Sequence, residues 1–322
     1  MRSFLPVLAI FAFVSGLNGQ QLPDSTFRFK NDHAAFSPGA GPSICVDAAH
    51  HNFHTLEGRY YSFGKLVRED GFRTTSLKAR LDEAVLSDCA VIVIANALAA
   101  PAEERGADLN APAFRPGEIN RILEWVIGGG RLFLVIDHAP SAAAAANLAA
   151  AIGVLPLNGN ASYRMFGELP DAAIRAIIEQ HGITADSIRR VLGPLGSLGD
   201  HAILRGRPGV DRPVRTLLTF VGSALYPAED VRSLLEVPTR SKGTVWLTGP
   251  SRPHSPRYPL ERWLVGGARE MGAGRVVILS EAAMCSAQLA GPERNPMGMN
   301  DPLAVDNARF CLNVIRWLAG VI

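Results

Sequence analysis

Residues 90–96 have the sequence Ala-Val-Ile-Val-Ile-Ala-Asn, an apolar and mostly β-branched run that ends in one polar residue. β-branched side chains favour extended backbone, and a strand that is apolar at every position is typical of a parallel sheet covered on both faces. We therefore predict a buried parallel strand here. Four further strands are predicted, at residues 43–48 (SICVDA), 72–77, 131–136 (RLFLVI) and 275–279 (RVVIL).

Helical patterns separate these strands. Residues 115–127 carry apolar side chains at i, i+3, i+4, i+7 and i+8, with Pro116 in the first turn and Gly128 at the expected end. Residues 58–70 and 142–151 predict two more helices, and a last one is expected to begin at Asp301 as N-cap and to end before Gly320. Alternating strands and helices predict an α/β protein with a doubly wound parallel sheet.

The chain of 322 residues divides unevenly along its length. Residues 1–19 are expected to be a signal peptide, residues 20–42 an extended lead-in, and residues 43–322 a single α/β domain. Between about residues 155 and 270 the strand–helix alternation weakens and Pro and Gly are frequent, which predicts an irregular insertion in that domain.

The N-terminus predicts export. Arg2 precedes an apolar run from Phe4 to Val14, and small residues follow, so that cleavage after Gly16 or Gly19 is expected. The run is too short to span a bilayer, which needs about 20 residues, and no membrane span is expected in the mature chain. We predict a periplasmic or secreted protein.

Composition limits the classes of partner and of cross-link. The formal net charge is +2 and the basic residues are not clustered, whereas a nucleic-acid-binding protein usually has a basic patch, so no nucleic-acid partner is expected. The four cysteines are too few for a disulfide scaffold and include no CxxC pair. Cys45, Cys89, Cys285 and Cys311 are expected to be buried free thiols, with a bridge between Cys285 and Cys311 as the alternative.

Polar residues follow the predicted strands at the points where the strands end. Ligands of an open parallel sheet bind at the carboxyl ends of its strands, so these residues are expected to surround one pocket for a small polar or glycan ligand. The candidates are Asp47, His50, His51, His54, Asn96, Asp137, His138 and Glu281.

Two other interpretations of the same residues remain open. His50, His54 and Asp137 could bind a divalent metal such as zinc, which takes nitrogen and oxygen ligands and keeps one position open in catalytic sites. Alternatively, the aspartates cap the helices that follow, and the histidines hydrogen-bond to carbonyl groups of the loop.

Several motifs together resemble a known group of proteins. The chain resembles exported bacterial proteins of unknown function whose fold is similar to the class I glutamine amidotransferase domain, and the resemblance spans about residues 25–320. The motifs that carry it are Asp47–Thr55, Gly129-Gly130-Arg131, Asp137-His138-Ala139-Pro140, His201–Arg207, Glu281–Met284 with Ser286-Ala287-Gln288, Asp306-Asn307, Asn313 and Trp317-Leu318.

The resemblance implies a flavodoxin-like scaffold rather than an amidotransferase activity. True amidotransferases use a Cys nucleophile on a sharp strand-to-helix elbow, together with a His and a Glu. The glycine-flanked elbow and the His-x-Glu pair are both absent here, and Cys285 lies in Ala-Met-Cys-Ser. Glutamine hydrolysis is therefore not expected.

Three functions follow as expectations. The first is a binding domain for a small polar or glycan ligand outside the cytoplasm. The second is a hydrolase that uses His50, His54, Asp137 or Glu281, with or without a metal. The third is an interaction subunit of an envelope assembly, with residues 155–270 as its contact surface.

Overall fold

The apolar run at residues 90–96 forms the central strand of the fold. In the computed structural model, which describes residues 21–81, 83–161, 163–182, 184–245 and 255–322, this strand is Val91–Ala95 and is buried along its whole length. Its odd-numbered side chains pack into one apolar core and its even-numbered ones into a second. The strand is therefore covered on both faces, as its composition predicts.

The elements of the first half of the chain are β1 (Gln21–Pro23), β2 (Ser43–Asp47), α1 (Tyr61–Glu69), β3 (Arg73–Leu77), α2 (Glu83–Ser87), β4 (Val91–Ala95), α3 (Pro116–Ile127), β5 (Arg131–Val135), α4 (Ser141–Ala144), α5 (Ala146–Ala151), β6 (Val154–Pro156), β7 (Gly159–Ala161) and β8 (Met165–Gly167). Those of the second half are α6 (Asp171–His181), α7 (Ala185–Leu192), β9 (Ser197–Leu198), α8 (Ala202–Arg205), β10 (Thr216–Leu218), β11 (Leu225–Pro227), β12 (Arg232–Glu236), β13 (Lys242–Val245), β14 (Arg257–Pro259), β15 (Leu264–Met271), β16 (Gly274–Leu279), a 3-10 turn (Ala283–Cys285), β17 (Ala287–Ala290), β18 (Asn295–Gly298) and α9 (Asn307–Leu318).

Five strands form a parallel block in the order β3-β2-β4-β5-β16. Helices cover both of its faces. Phe63 of α1 and Phe310 of α9 belong to the core on one face, whereas Ile122 of α3 and Leu148 of α5 belong to the core on the other. The protein is thus α/β, with one long mixed sheet.

The region predicted to be an irregular insertion contains a continuation of this sheet. β15 runs antiparallel to β16, and β11, β12, β6 and β9 extend the sheet beyond it. β15 has the sequence LVGGAREM, in which Gly266, Gly267 and the charged residues interrupt the apolar pattern that predicts a strand. Leu279 and Leu235 crowd Gly266, where a Cβ atom would lie only 2.7 Å from Leu279.

The last helix begins later than the sequence predicts. α9 starts at Asn307, and Asp301 instead accepts a hydrogen bond from the backbone N–H of Leu303 in a preceding turn. Asp306, which precedes the helix, bonds to the backbone N–H groups of Arg215 and Thr216. The predicted end is confirmed, because Gly320 follows the helix with a φ of +76°.

The prediction of free thiols is wrong. Cys45 is bonded to Cys89, and Cys285 to Cys311, with Cα–Cα distances of 5.8 and 5.7 Å. The first bridge joins β2 to the residues before its neighbour β4, and the second joins the 3-10 turn after β16 to α9. Both pairs are far apart in sequence and meet only through the sheet and its helix.

Among the described residues, no helix is both long and apolar enough to cross a bilayer. The predicted signal peptide lies outside the described residues.

Candidate functional site

The polar residues predicted to converge lie at one edge of the parallel block. Asp47 ends β2, Asn96 follows β4, Asp137 follows β5 and Glu281 follows β16. These strands are neighbours in the sheet, so their carboxyl ends lie side by side about 5 Å apart. Of the eight candidates, six are buried, while His138 is half-buried and His51 is exposed.

The first group at this edge is a clamp around His50. Its Nδ1 atom lies 2.8 Å from Oδ2 of Asp47, and its Nε2 atom lies 3.0 Å from Oε1 of Glu118, near the start of α3. The other Glu118 oxygen accepts a hydrogen bond from Arg80, and the backbone N–H of Leu81 also donates to Glu118. We call Asp47, His50 and Glu118 the histidine clamp.

The charges of the histidine clamp follow from its hydrogen bonds. Burial lowers the pKa of His50, but the hydrogen bonds and charges of Asp47 and Glu118 outweigh burial and raise it to about 9. Burial raises the pKa of Glu118, but His50, the Leu81 N–H and Arg80 outweigh it and lower the pKa to about 2. His50 is therefore a buried imidazolium at neutral pH, and the clamp ties the loop after β2 to α3.

The second group is built around Asn96. This residue adopts a left-handed φ of +52° directly after β4, a conformation that asparagine tolerates better than most residues. Its Oδ1 atom accepts a hydrogen bond of 2.9 Å from the backbone N–H of Asp137, and its Nδ2 atom lies 3.3 Å from Nδ1 of His54. The His54 ring meets Tyr60 edge-on at 4.9 Å. Asn96 thus fixes both His54 and the start of the loop after β5.

His54 is held in its neutral form. Burial, followed by the positive charge of Arg59 and by His138, keeps the pKa of His54 well below its ordinary value. The Nε2 atom of His54 is buried and has no hydrogen-bond partner among the described residues.

Asp137 and Glu281 form a buried carboxyl pair. Glu281 accepts hydrogen bonds from the backbone N–H groups of Phe220 and Ala283, at 3.0 and 2.9 Å. Asp137 accepts one from the N–H of His138 at 2.7 Å and one from Ala282 at 3.3 Å. The pair is therefore anchored by the backbone of three different segments.

The carboxyl pair holds a proton at neutral pH. Burial raises the pKa of Glu281, and the negative charge of Asp137 adds to this, so that the pKa reaches about 8. Burial also raises the pKa of Asp137 above its usual value. Ionising both carboxyl groups would place two negative charges in one buried site, which is energetically unfavourable, so one of the two groups is protonated at pH 7.

Sequence reasoning missed three residues of this edge. Arg59 is half-buried and lies over the ring of Phe53, 5.2 Å from its centroid. The Tyr60 hydroxyl donates to the carbonyl oxygen of Ala282 at 3.2 Å. Arg59 and Tyr60 directly follow the His-rich loop, and Glu118 is an acidic residue in the first turn of a helix, which by itself is an ordinary feature.

The candidate residues line neither of two clefts found in the described part of the chain. A cleft of about 370 Å³ lies at residues 128–131 with Trp125 and Leu318, at the amino-terminal side of β5. A cleft of about 430 Å³ lies beside Trp263, Pro227 and Val231. Half-buried side chains at the carboxyl edge include those of Phe53, Arg59 and His138.

The three residues named for a metal do not stand together. His50 uses both ring nitrogens within the histidine clamp, whereas His54 belongs to the Asn96 group and Asp137 to the carboxyl pair. In the described part of the chain, no group of three or more His, Cys, Asp or Glu side chains is arranged to hold a metal ion. Metal binding stays a prediction.

Comparison with known proteins identifies related folds only. No protein-family model and no curated protein matches the chain. Among solved structures, the mmIFT52 N-terminal domain is similar with a TM-score of 0.54 and 13% identity, over 86% of this chain and 97% of that chain. At this identity the likeness concerns the fold alone.

Two weaker matches illustrate the range of similar structures. A putative thua-like protein from Bacteroides uniformis ATCC 8492 has a TM-score of 0.40 and 11% identity, over 90% of this chain and 94% of that chain. The exo-beta-1,4-mannosidase Op5Man5 from Opitutaceae bacterium strain TAV5 has a TM-score of 0.37 and 12% identity, over 75% of this chain and 31% of that chain.

Proposed function

We propose that this chain is an exported binding domain with a flavodoxin-like, doubly wound scaffold that recognises a small polar or glycan ligand at the carboxyl edge of its sheet. The order of the five parallel strands, β3-β2-β4-β5-β16, supports the scaffold. When these strands are numbered 1 to 5 along the chain, their order in the sheet is 2-1-3-4-5, which is the flavodoxin-like order. In this order the direction in which successive strands are added to the sheet reverses between β2 and β4, and Asp47 and Asn96 lie at the carboxyl ends of these two strands.

The carboxyl pair is the observation that carries the binding proposal. Two fully buried carboxyl groups beside each other, Asp137 and Glu281, cost folding free energy, and the neighbouring His54 leaves a buried nitrogen unbonded. Buried carboxyl groups with raised pKa values and a buried unsatisfied nitrogen at a strand edge are typical of functional sites. A core with structure as its only role would be more stable with apolar side chains here.

The same site is not proposed to hydrolyse glutamine. The sulfur of Cys285 is bonded to Cys311, which supports this view because a disulfide leaves no thiolate to attack an amide. Ammonia release from glutamine by the purified protein would contradict it.

Ligand binding can be tested with a panel of neutral sugars, polyols and immobilised glycans on the purified mature chain, monitored by calorimetry and array binding. Asp137→Asn is expected to weaken binding by about tenfold or more, because it removes a buried charged acceptor. The matched control is Asp88→Asn, which removes an exposed carboxylate just before β4, at the other end of that strand from the candidate residues. Equal binding by both variants would overturn the assignment of the site.

A hydrolase is the second candidate, and the carboxyl pair favours it. A carboxyl group that keeps its proton at neutral pH can serve as a general acid while its ionised partner serves as base or nucleophile. Hydrolysis of aryl glycosides or esters that is lost in Asp137→Asn would identify this activity. Elemental analysis of the same protein tests the metal-dependent version with zinc.

Export is supported by the two disulfides, which form and persist in oxidising compartments. N-terminal sequencing of protein recovered from the periplasm or medium is expected to show a start at residue 17 or 20. Recovery of the chain in the cytoplasm with Met1 intact would contradict the proposal.

A further inference from the structure

The hydrogen bonds around Asn96 determine which nitrogen of His54 carries its proton. The Asn96 Oδ1 atom accepts from the backbone N–H of Asp137, so the Nδ2 atom is the one that faces Nδ1 of His54. An amide nitrogen donates and does not accept, so Nδ1 of His54 is the acceptor. The neutral imidazole therefore carries its hydrogen on Nε2.

This Nε2–H donor is unsatisfied. His54 is only 3% exposed, and its Nε2 atom has no hydrogen-bond partner in the described part of the chain. A buried donor without an acceptor is unfavourable, and such a group in a native structure calls for an acceptor that the protein itself does not supply.

A second donor group near it is also without a polar partner. The Arg59 guanidinium forms neither a hydrogen bond nor an ion pair within 4.0 Å with any described residue, and it lies over the ring of Phe53. Its positive charge acts on both His54 and Asp137. A half-buried guanidinium with free N–H groups is suited to bind a carboxylate through two parallel hydrogen bonds.

From these two donors we infer that the site takes a ligand that bears a carboxylate, with one oxygen accepting the Nε2–H of His54 and the group as a whole paired with Arg59. The inference rests on the ligand-binding function proposed above and specifies its substrate class. Acidic sugars such as uronic acids, or small hydroxy acids, bind in preference to their neutral counterparts.

The local charge balance accommodates a carboxylate. Asp137 and Glu281 share one proton, so the carboxyl pair carries one negative charge rather than two, which reduces its repulsion of a ligand carboxylate beside Arg59. The Nε2 atom is closed to solvent in the free chain, so side chains around it must move for a ligand to reach it. No described residue holds Arg59 in its present position through a hydrogen bond.

The test uses matched acid and neutral compounds on the purified mature chain. D-glucuronate is compared with D-glucose, D-galacturonate with D-galactose, and lactate with lactamide, each by calorimetry and by the ¹⁵N shift of His54 Nε2. The first two pairs probe acidic sugars and the third probes hydroxy acids. At least one acid is expected to bind about tenfold or more tightly than its neutral partner and to move the Nε2 resonance.

Variants separate charge from structure. Arg59→Gln is expected to abolish the preference for the acid, Arg59→Lys to retain part of it, and the control Arg115→Gln, an exposed arginine next to α3, to leave it unchanged. Arg59 has no hydrogen bond or ion pair with a described residue to lose, so its variants are expected to fold, which circular dichroism verifies. His54→Phe keeps the packing against Tyr60 while removing the donor.

The outcomes distinguish this inference from the broader proposal. If neutral sugars bind as tightly as the acids and binding depends on Asp137 but not on Arg59, the carboxylate inference fails and the binding function stands. If no acid in the panel binds or shifts the Nε2 resonance, the inference is overturned, whatever the neutral panel shows. An unchanged acid preference in Arg59→Gln also overturns it.

Discussion

The histidine clamp predicts a specific dependence of stability on pH. His50 has a pKa of about 9 in the folded protein against 6.5 in the unfolded chain. Because the folded state holds this proton more tightly, the stabilisation is complete below about pH 6.5 and is lost as the pH rises through 9. Each pH unit between these values removes about 1.4 kcal/mol, so the total loss from this group is about 3 kcal/mol.

The perturbation that isolates this effect is His50→Gln, which keeps one hydrogen-bond donor but removes the charge. At about pH 6 the variant leaves Asp47 buried without its cation and Glu118 with Arg80 alone, and it is expected to lose about 3–5 kcal/mol of unfolding free energy. At about pH 10 His50 is neutral in the wild type too, so the difference should shrink by about 3 kcal/mol.

Urea unfolding of both proteins across this pH range measures the difference directly. Glu281 also titrates in this range, but it does so in both proteins, so its contribution cancels from the difference, and the pKa of Glu118 in the wild type, about 2, lies far below this range. His51→Asn serves as the exposed control and should run parallel to the wild type. A His50→Gln difference that stays constant with pH would show that His50 is neutral in the folded state and would refute the charge assignment.

Three further predictions follow from other contacts. Thiol titration of the denatured, unreduced protein should find no free thiol. Replacing Cys285 and Cys311 together by Ala should lower the free energy of unfolding by about 3 to 4 kcal/mol, because the disulfide no longer closes a loop across 26 positions in the unfolded chain. Asp137→Asn should lower the pKa of Glu281 from about 8, and an unchanged carboxyl ¹³C titration would show that the two groups do not interact. The buried Arg316 pairs with Asp70 and Asp211, and Arg316→Leu should cost about 3–5 kcal/mol in urea unfolding because it leaves Asp70 without its cation and Asp211 with Arg207 alone. A loss below about 1 kcal/mol would show that these ion pairs contribute little.

The convergence of the candidate residues could be predicted because it depends on topology. Asp47, Asn96, Asp137 and Glu281 each stand directly after an apolar strand, and parallel strands bring their carboxyl ends to one edge. Periodicity and composition identify such strands locally. The prediction therefore needed no knowledge of side-chain contacts.

The partners of these residues could not be predicted, because they come from distant segments. Glu118 reaches His50 across 68 positions, and Glu281 binds the backbone of Phe220 across 61. The disulfides likewise join residues 44 and 26 positions apart. No local pattern identifies such pairs, because the sequence contains several carboxylates and thiols that could equally be the partner.

The amino-acid sequence by itself determined the parallel block, the helices around it and the edge at which the polar residues gather, because backbone preference and burial are set by neighbouring residues in the chain. Tertiary structure alone decided that β15 continues the sheet, that His50 is clamped as a cation, and that Asp137 and Glu281 share a proton. It also decided that Nε2 of His54 and the Arg59 guanidinium have no acceptor among the described residues. These properties depend on desolvation and on distances between segments far apart in sequence, and both exist only after the chain has folded.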